Sequence, residues 1–470
     1  MRDDLIVGVC GAGAMGSGIA LVAAQSGVQV VIFDVNEAAC AKSREMAESS
    51  LRQSVERGRL LQDQADRVLE SMCWTASLGD LSSCTLVIEA ILEDLGVKEA
   101  LFAQLENIVA DDAIIASNTS SLSIARLAKS LRNPARFAGM HFFNPPTAMK
   151  LVEVVSGPAT APYVAQTIAA VAADWKKVAV PVADVPGFIV NRIARPFYAE
   201  AFQALQQSAA PAEVIDHLFK SAAGFRMGPL ELTDLIGQDV NFSVARTVYD
   251  SYFGQTRFVP QLLQGSLVDA GWLGRKSGRG IYDYSGKTSN AAPEPIAADP
   301  LADAPLRPEN AGPGMPHWEI AGTVIRFTRG QTARAEARIA DKPVVVLDWF
   351  EAATAQACGF AASDEAAAEV GARLLAAWNL APFRIADTPG LIVTRTLAQI
   401  ANAAGDAVLE GVSDEAGIDS ALRFGANYPF GPFAWAEQVG GEAVVLTLQA
   451  IAFGTGHAMY NPSQYWMSRI

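Results

Sequence analysis

His141 and Glu153 are the residues of this chain best suited to moving a proton near neutral pH. His141 stands where the strand-like run AGMHFF meets an Asn-Pro-Pro loop, and Glu153 follows twelve residues later in the alternating segment MKLVEVV. A carboxylate that accepts one ring N–H of an imidazole fixes its tautomer and raises the basicity of the other nitrogen. A histidine in an apolar strand can equally be a satisfied core residue, and spacing alone does not join the two side chains. With four histidines in 470 residues, the choice of an acid–base imidazole is narrow.

A second group of residues is shaped for a diphosphate. GAGAMG at 11–16 has G-x-G-x-x-G spacing directly after a strand-like run and at the start of a helical one. Gly11 serves the tight turn, Gly13 lets backbone approach a pyrophosphate, and Gly16 lets the helix lie close on the strand. Ala14 and Met15 complete the loop at a helix N-terminus, whose dipole favours the anion. Asp34 ends the second strand-like run, where its carboxylate can accept from a ribose diol. It repels a 2′-phosphate, and no basic residue follows before Lys42, so NAD is expected rather than NADP. A glycine-rich turn beside a solvated aspartate uses the same letters, but strand, helix and acid here fall in the required order. ASNTSSLSI at 116–124 is read locally as a cluster of helix caps, and Asn191 as a helical surface residue.

The elements that must hold these groups alternate in type. LIVGVC (5–10), VQVVIF (28–33), TLVIEA (85–90) and AIIAS (113–117) read as strands. Helical stretches at about 17–26, 37–57, 98–109 and 121–130 lie between them. Such alternation predicts an α/β Rossmann-type domain with a mainly parallel sheet over 1–183. Beyond DVPG at 184–187 the texture becomes helical without strands, giving an all-helical domain over 184–283. Residues 284–316, dense in Pro, Ala and Asp, read as a linker.

An internal repeat follows. DVPGFIVNR at 184–192 returns as DTPGLIVTR at 387–395, a shift of 203 residues. At the same shift VIDHLF (214–219) matches GIDSAL, and MGPLEL (227–232) matches FGPFAW. The helical domain is therefore duplicated as a second, degenerate copy at 383–470, preceded by a remnant α/β segment at 317–382. Carrying the shift back to His141, Glu153 and Asn191 reaches Val344, Gln356 and Thr394, so each functional candidate is lost and one active site per chain is expected.

Charge and composition exclude several partners. Subtracting 50 acidic from 36 basic residues leaves −14, which disfavours nucleic acid and an acidic membrane surface. No apolar run approaches the roughly 20 residues that span a bilayer. The five cysteines are odd in number and contain no C-x-x-C pair, so neither a disulfide framework nor a metal site is expected. These features predict a cytoplasmic protein.

Taken together, GAGAMG, the EAI-x-ED-x-x-x-K run (89–98), SNTSSL (117–122), HFFNP (141–145), MKLVEV (149–154) and D-x-PGF-x-x-NR (184–192) resemble the L-3-hydroxyacyl-CoA dehydrogenase family. The resemblance runs from residue 5 to about 283, and the duplicated domain extends it to 470. It implies NAD-dependent oxidation of a 3-hydroxyacyl-CoA, with His141 as general base and Glu153 as its partner. Ser120 and Asn191 are then expected to hold the 3-oxygen or thioester region. Glu93, Lys98, Ser120 and Asn144 are expected to line the cofactor, and Ser50 and Arg57 to lie near the acyl-CoA. The two-copy layout resembles bacterial members assigned to phenylacetate catabolism, whose substrate is 3-hydroxyadipyl-CoA. The alternative is a 3-hydroxybutyryl-CoA dehydrogenase of short-chain fatty acid or butanoate metabolism. A homo-oligomer is compatible with this reading, and the second helical copy is expected to serve as a built-in pseudo-dimer partner.

Overall fold

The structure, a computed structural model, describes residues 5–286 and 292–470. It divides into two compact units. One runs to Val190 and takes in Gly411–Gly425; the other comprises Asn191–Glu410 and Ala426–Ile470.

The first unit is built on β1 (Ile6–Cys10), β2 (Gln29–Phe33), β3 (Met72–Thr75), β4 (Leu86–Glu89), β5 (Ile114–Ser117), β6 (Phe137–Phe142), β7 (Leu151–Ser156) and β8 (Val178–Ala183). Their order in one sheet is β3-β2-β1-β4-β5-β6-β7-β8. Neighbours pair in parallel except β6 and β7, which run antiparallel. The eight-residue connection from Phe143 to Lys150 is too short for a parallel crossover, so the chain must turn back on itself there. Helices cover the sheet, and its central strands are apolar on both faces, as parallel strands between helical layers require. Helices Glu37–Glu56 and Gln62–Glu70 pack together as a hairpin. Helix Ala14–Gln25 opens inside the glycine motif. Helix Glu415–Gly425, from the second helical copy, packs on β7 and β8, and Ala183 N donates to Val412 O at 2.9 Å.

The second unit carries the first helical copy, with helices Arg195–Gln206, Ala212–Ser221, Pro229–Ile236, Gln238–Ser251 and Leu262–Asp269. Next come β9 (Trp318–Ile320), β10 (Thr323–Phe327), β11 (Val344–Leu347), β12 (Ala357–Ala362) and β13 (Ala381–Arg384), ordered β13-β12-β11-β10-β9. Helix Ala212–Ser221 packs on β12, and Ala386 N donates to Ala209 O at 2.8 Å. This is the Ala183–Val412 bond of the first unit, reproduced under the shift of 203. Helix Val393–Leu409 is buried on nearly all sides because it packs against Arg195–Gln206, Pro432–Val439, Gly441–Thr455 and Gln464–Met467. The two helical copies thus share a buried face inside this unit. Arg257 Nε meets Asp406 Oδ2 at 2.9 Å, and the Tyr460 hydroxyl donates to Gln203 Oε1 at 3.2 Å. Under the shift these two contacts map onto each other.

Two expectations need correction. Residues 292–317 contain no helix or strand, yet they are not a free linker. Trp378 Nε1 donates to Pro305 O at 2.8 Å, Arg307 Nη2 donates to Ala352 O at 2.9 Å, and Ala311 is buried in the core of the second sheet. The covered Pro305 carbonyl takes its donor from Trp378, and Arg307 of the segment in turn donates to a carbonyl outside it. The part of the expected linker at 287–291 lies outside the described residues.

The repeat register is the second correction. Leu347 pairs with Phe360 and Asp348 N donates to Gly359 O at 2.8 Å, in the antiparallel setting of β6 and β7. The parallel register of β12 on β13 matches that of β7 on β8. The counterparts of His141 and Glu153 are therefore Asp348 and Gly359, not Val344 and Gln356. The second copy is shorter by three residues between its last two strands and by one in the preceding hairpin, which breaks the constant shift. Neither counterpart is a histidine or a glutamate.

Candidate active site

His141 and Glu153 sit opposite each other on β6 and β7. Antiparallel partners point their side chains to the same face, so the register alone brings the two into reach. His141 Nδ1 lies 2.7 Å from Glu153 Oε2, with the side chains 7% and 1% exposed. The ring also lies beside Phe143 and Phe188, with centroids 4.6 and 5.7 Å away.

Glu153 has a second set of partners. Its Oε1 accepts from Ile189 N and Val190 N, both at 3.1 Å. Those two N–H groups are aimed by the D-x-P-G-F turn, in which Gly187 and Phe188 take left-handed φ values of 77° and 50°. Successive N–H groups after such a turn make a small anion-binding nest. The carboxylate is thus clamped from one side and presents its other oxygen to the imidazole. With Nδ1 facing a carboxylate, the tautomer leaves Nε2 free to accept a proton.

Asp184, at the head of the same motif, accepts from Ser123 Oγ (2.8 Å), Ile124 N (2.9 Å) and Ala125 N (2.7 Å). It caps the helix Ile124–Ala128 and so fixes the loop after β5. That loop carries Ser120, which is exposed, with its N–H donated to Glu93 Oε1 at 3.0 Å. Glu93 also accepts from Thr119 Oγ1 and from the backbone and hydroxyl of Ser121. Lys98 is 1% exposed, and its ammonium is taken up by Glu89 at 2.5 Å and Glu93 at 3.1 Å. Burial pushes the Glu93 carboxyl up, but the Lys98 charge and the hydroxyl donors outweigh it and hold it below its ordinary value. Glu93 and Lys98 therefore shape the Ser-Asn-Thr-Ser loop.

The sequence did not single out Asn118 or Glu89. Asn118 Oδ1 accepts from Phe142 N at 2.8 Å and stitches the loop after β5 to the residue following His141. Glu89, fully buried at the end of β4, accepts from Ser117 Oγ, Ile91 N and Lys98. Only the acidic character of a strand-ending residue hinted at Glu89; for Asn118 the SNTSS motif itself was the signal.

The glycine motif has the expected shape. A Cβ on Gly16 would run into the Gly11 carbonyl oxygen, whereas one on Gly13 would meet nothing within 4 Å. The first glycine is needed by the fold, and the second leaves room for a ligand against the helix N-terminus. Asp34 Oδ2 accepts from Ala12 N at 2.8 Å and Oδ1 from Asn36 N at 2.9 Å, which fixes the carboxylate at the rim of the loop. A cleft of about 850 Å³ opens here, bounded by Gly11, Gly13 and Asp34 on one side and by Ile91, Leu92 and Val97 on the other. Leu92 and Val97 are exposed apolar side chains, suited to the faces of a flat base. The donors, the carboxylate and the apolar walls fit a dinucleotide.

Other candidates are more scattered. Asn144 is exposed in the loop after β6. Ser50 lies half-buried on helix Glu37–Glu56, and Arg57 is exposed at its C-cap. Asn191 opens the second unit in the short helix Val190–Ile193.

Comparison with known proteins decides the family. The model of the 3-hydroxyacyl-CoA dehydrogenase NAD binding domain matches residues 6–185, and that of the family's C-terminal domain matches 187–284 and again 390–470. The chain belongs to the 3-hydroxyacyl-CoA dehydrogenase family. It is 40% identical over 456 residues to a 3-hydroxyadipyl-CoA dehydrogenase of Escherichia coli K12, covering 97% of this chain and 95% of that one. A 3-hydroxybutyryl-CoA dehydrogenase of Mycobacterium tuberculosis is 39% identical over 280 residues, 59% of this chain and 98% of its own. A crystal structure of a 3-hydroxybutyryl-CoA dehydrogenase from Escherichia coli K12 superposes with a TM-score of 0.93 at 40% identity, covering 99% of this chain and 98% of that one. The protein is an NAD-dependent 3-hydroxyacyl-CoA dehydrogenase with a Rossmann-type domain and a helical domain present in two segments. Among the described residues no helix is long and apolar enough to cross a membrane.

Proposed function

We propose that this dehydrogenase oxidises (S)-3-hydroxyadipyl-CoA to the 3-oxo thioester, with His141 as general base and Glu153 as the residue that orients it. NAD, when bound, supplies the hydride acceptor. The 3-hydroxyl proton must leave as the hydride leaves C3, so a base must lie within hydrogen-bond reach of that oxygen. His141 Nε2 takes the proton, and Glu153 stabilises the imidazolium that results. In the reverse direction the same imidazolium protonates the ketone oxygen. Ser120 and Asn191 hold the 3-oxygen or thioester region, and Ser50 and Arg57 lie along the acyl-CoA. Gly13, Ala14, Met15, Asp34 and Asn144 serve the cofactor, with the Glu93–Lys98 pair setting the loop beside it.

The observation that carries this reading is the 2.7 Å contact between His141 Nδ1 and a carboxylate whose other oxygen is already held by two backbone donors. A merely structural histidine in an apolar strand needs no such ionic brace. The adipyl substrate is supported by similarity over nearly the whole two-copy chain to a relative of that name. The crystal structure described as a 3-hydroxybutyryl-CoA dehydrogenase favours a second reading, the short-chain substrate. The adipyl reading places the enzyme in the cytoplasm and in aromatic (phenylacetate) catabolism. The second helical copy acts as a partner in cis, and the chain has one active site, because Asp348 and Gly359 stand where a His and a Glu are needed.

The deciding experiment follows NADH formation with (S)-3-hydroxyadipyl-CoA and (S)-3-hydroxybutyryl-CoA. A higher kcat/KM for the adipyl thioester is expected, together with loss of turnover in H141Q. Preference for the butyryl thioester would select the second reading, and normal turnover of H141Q would remove His141 from the chemistry.

A further inference from the structure

The loop from Phe143 to Lys150 joins the strand of His141 to that of Glu153, and it carries Asn144. It has few donors of its own. Pro145 and Pro146 have no N–H, and the N–H groups of Ala148 and Met149 both go to Pro145 O at 3.0 Å. Two other parts of the first unit hold it. On one side Pro146 is buried against helix Ala14–Gln25, where a Cβ on Gly18 would stand 2.9 Å from Pro146 Cδ. On the other side Lys177 Nζ donates to Pro146 O at 2.6 Å and to Met149 O at 2.8 Å.

The turn that carries Lys177 is itself well anchored. Lys176 takes a left-handed φ of 58°, so the chain bends sharply between helix Pro162–Asp174 and β8. Trp175 is buried and stacks on Phe142, the neighbour of His141, with ring centroids 6.3 Å apart. Lys177 is half-buried, and that burial lowers its pKa from the ordinary lysine value. An ammonium has three N–H donors and no acceptor, which suits it to gathering carbonyls that a proline-rich loop cannot serve from its own backbone.

We propose that Lys177 is a positioning residue for the cofactor: by clasping Pro146 O and Met149 O it holds the loop on Gly18 and so fixes Asn144 for its contact with NAD. The inference rests on the reading of Asn144 as a cofactor residue given above. Helix Ala14–Gln25 is the element whose N-terminus faces the diphosphate, so a loop docked on its first turns keeps Asn144 in register with the same ligand. Lys177 acts through the loop and not by touching a reactant. A misplacement of about 1 Å at such a contact costs on the order of 10²-fold in rate.

The test measures kcat and the separate KM values for NAD and for the 3-hydroxyacyl-CoA in K177M, K177R and G18A, with N144A alongside. K177M keeps the length of the side chain but cannot donate. Its KM for NAD is expected to rise about tenfold with a fall in kcat, while the KM for the thioester stays within about threefold. K177R, which can still donate to both carbonyls, should recover most of the loss. In G18A the added methyl meets Pro146 first and pushes the loop from the opposite side, in a helix that alanine favours, so this variant should fold and show the same split. If Lys177 serves only the fold, K177M will lower the melting temperature and kcat and leave both KM values as in wild type, which would overturn the proposal. Equal rises in the two KM values would overturn it as well. Should K177M fail to fold, an unchanged KM for NAD in G18A decides against it. An unchanged KM for NAD in N144A would instead strike the cofactor reading of Asn144 and, with it, the route proposed for Lys177.

Discussion

Replacing Glu153 by Gln tests the proposed base most sharply, because it changes charge and hydrogen-bond polarity while keeping shape. Glu153 makes three contacts: His141 Nδ1 at 2.7 Å through Oε2, and two backbone N–H groups at 3.1 Å through Oε1. A glutamine has one carbonyl oxygen, and the two N–H donors of the D-x-P-G-F turn will claim it. Its NH₂ group then faces Nδ1 and donates to it, which moves the ring proton to Nε2, the atom that must accept from substrate. In a serine-protease His–Asp pair the corresponding isosteric change costs about 10⁴ in kcat. General base catalysis itself is worth roughly 10²–10⁴. A fall of about 10³–10⁴ in kcat is therefore expected for E153Q, or about 4–5.5 kcal/mol at 1.36 kcal/mol per tenfold. The loss of charge-assisted bonds should lower stability by only about 1–3 kcal/mol. E153D, which keeps charge and tautomer but shortens the reach, should fall between E153Q and wild type. The assay is initial-rate NADH formation, with NADH binding followed by fluorescence to show that the cofactor cleft is intact. Turnover of E153Q within threefold of wild type would show that Glu153 only anchors the turn, and the tautomer argument would fail.

Gly13→Ala and Gly16→Ala should separate binding from folding. The first adds a methyl into open space at an ordinary φ of −72°, so thermal stability should hold while the KM for NAD rises about tenfold or more. The second drives a methyl into the Gly11 carbonyl and should lower both stability and NAD affinity; normal NAD kinetics in both variants would remove the loop from the cofactor site. Asp216, which caps helix Pro229–Ile236 through Leu230 N and Glu231 N, has its carboxyl pushed up to about 6 by burial. Its folded value lies above the unfolded one near 3.9, so the stability tied to its neutral form is present at low pH and is lost as pH rises from about 4 through 6. Denaturant unfolding should show wild type gaining on D216N by up to about 3 kcal/mol as pH falls from 7 to 4, and a gap that is flat or reversed would contradict the assignment.

Much of the cofactor half could be read from the chain because it is local: GAGAMG and Asp34 belong to one strand–helix–strand run, and the fold leaves each where that run predicts. The His141–Glu153 pair needed one further fact, the antiparallel register of β6 on β7, which no sequence pattern encodes. Asn118 escaped notice because its role is a bond to Phe142, 24 residues away. The repeat was visible through D-x-P-G, but deletions between the strands of the second copy carry no mark of their own, so the shift led to Val344 and Gln356 instead of Asp348 and Gly359. Composition also misjudged residues 292–317, since Pro and Ala content says nothing of the donor that Trp378 brings from far along the chain or of the bond that Arg307 sends to Ala352.

Asp348 shows what became of the duplicate. Its carboxylate accepts from Ile392 N, Val393 N and Thr394 N at 2.8–3.0 Å, the positions that answer to Ile189, Val190 and Asn191. The anchoring half of Glu153's work has survived, moved to the strand that once answered for the histidine. Two identical subunits related by a two-fold axis must use one residue for both sides of a contact, so every substitution strikes twice. Joined on a single polypeptide, the copies escape that constraint: an Arg257–Asp406 ion pair on one side coexists with a Tyr460–Gln203 contact on the other, where the Tyr460 hydroxyl also reaches the Glu200 carboxylate at 3.0 Å. They also cannot part on dilution, which frees one copy to drift while the other stays under selection for turnover.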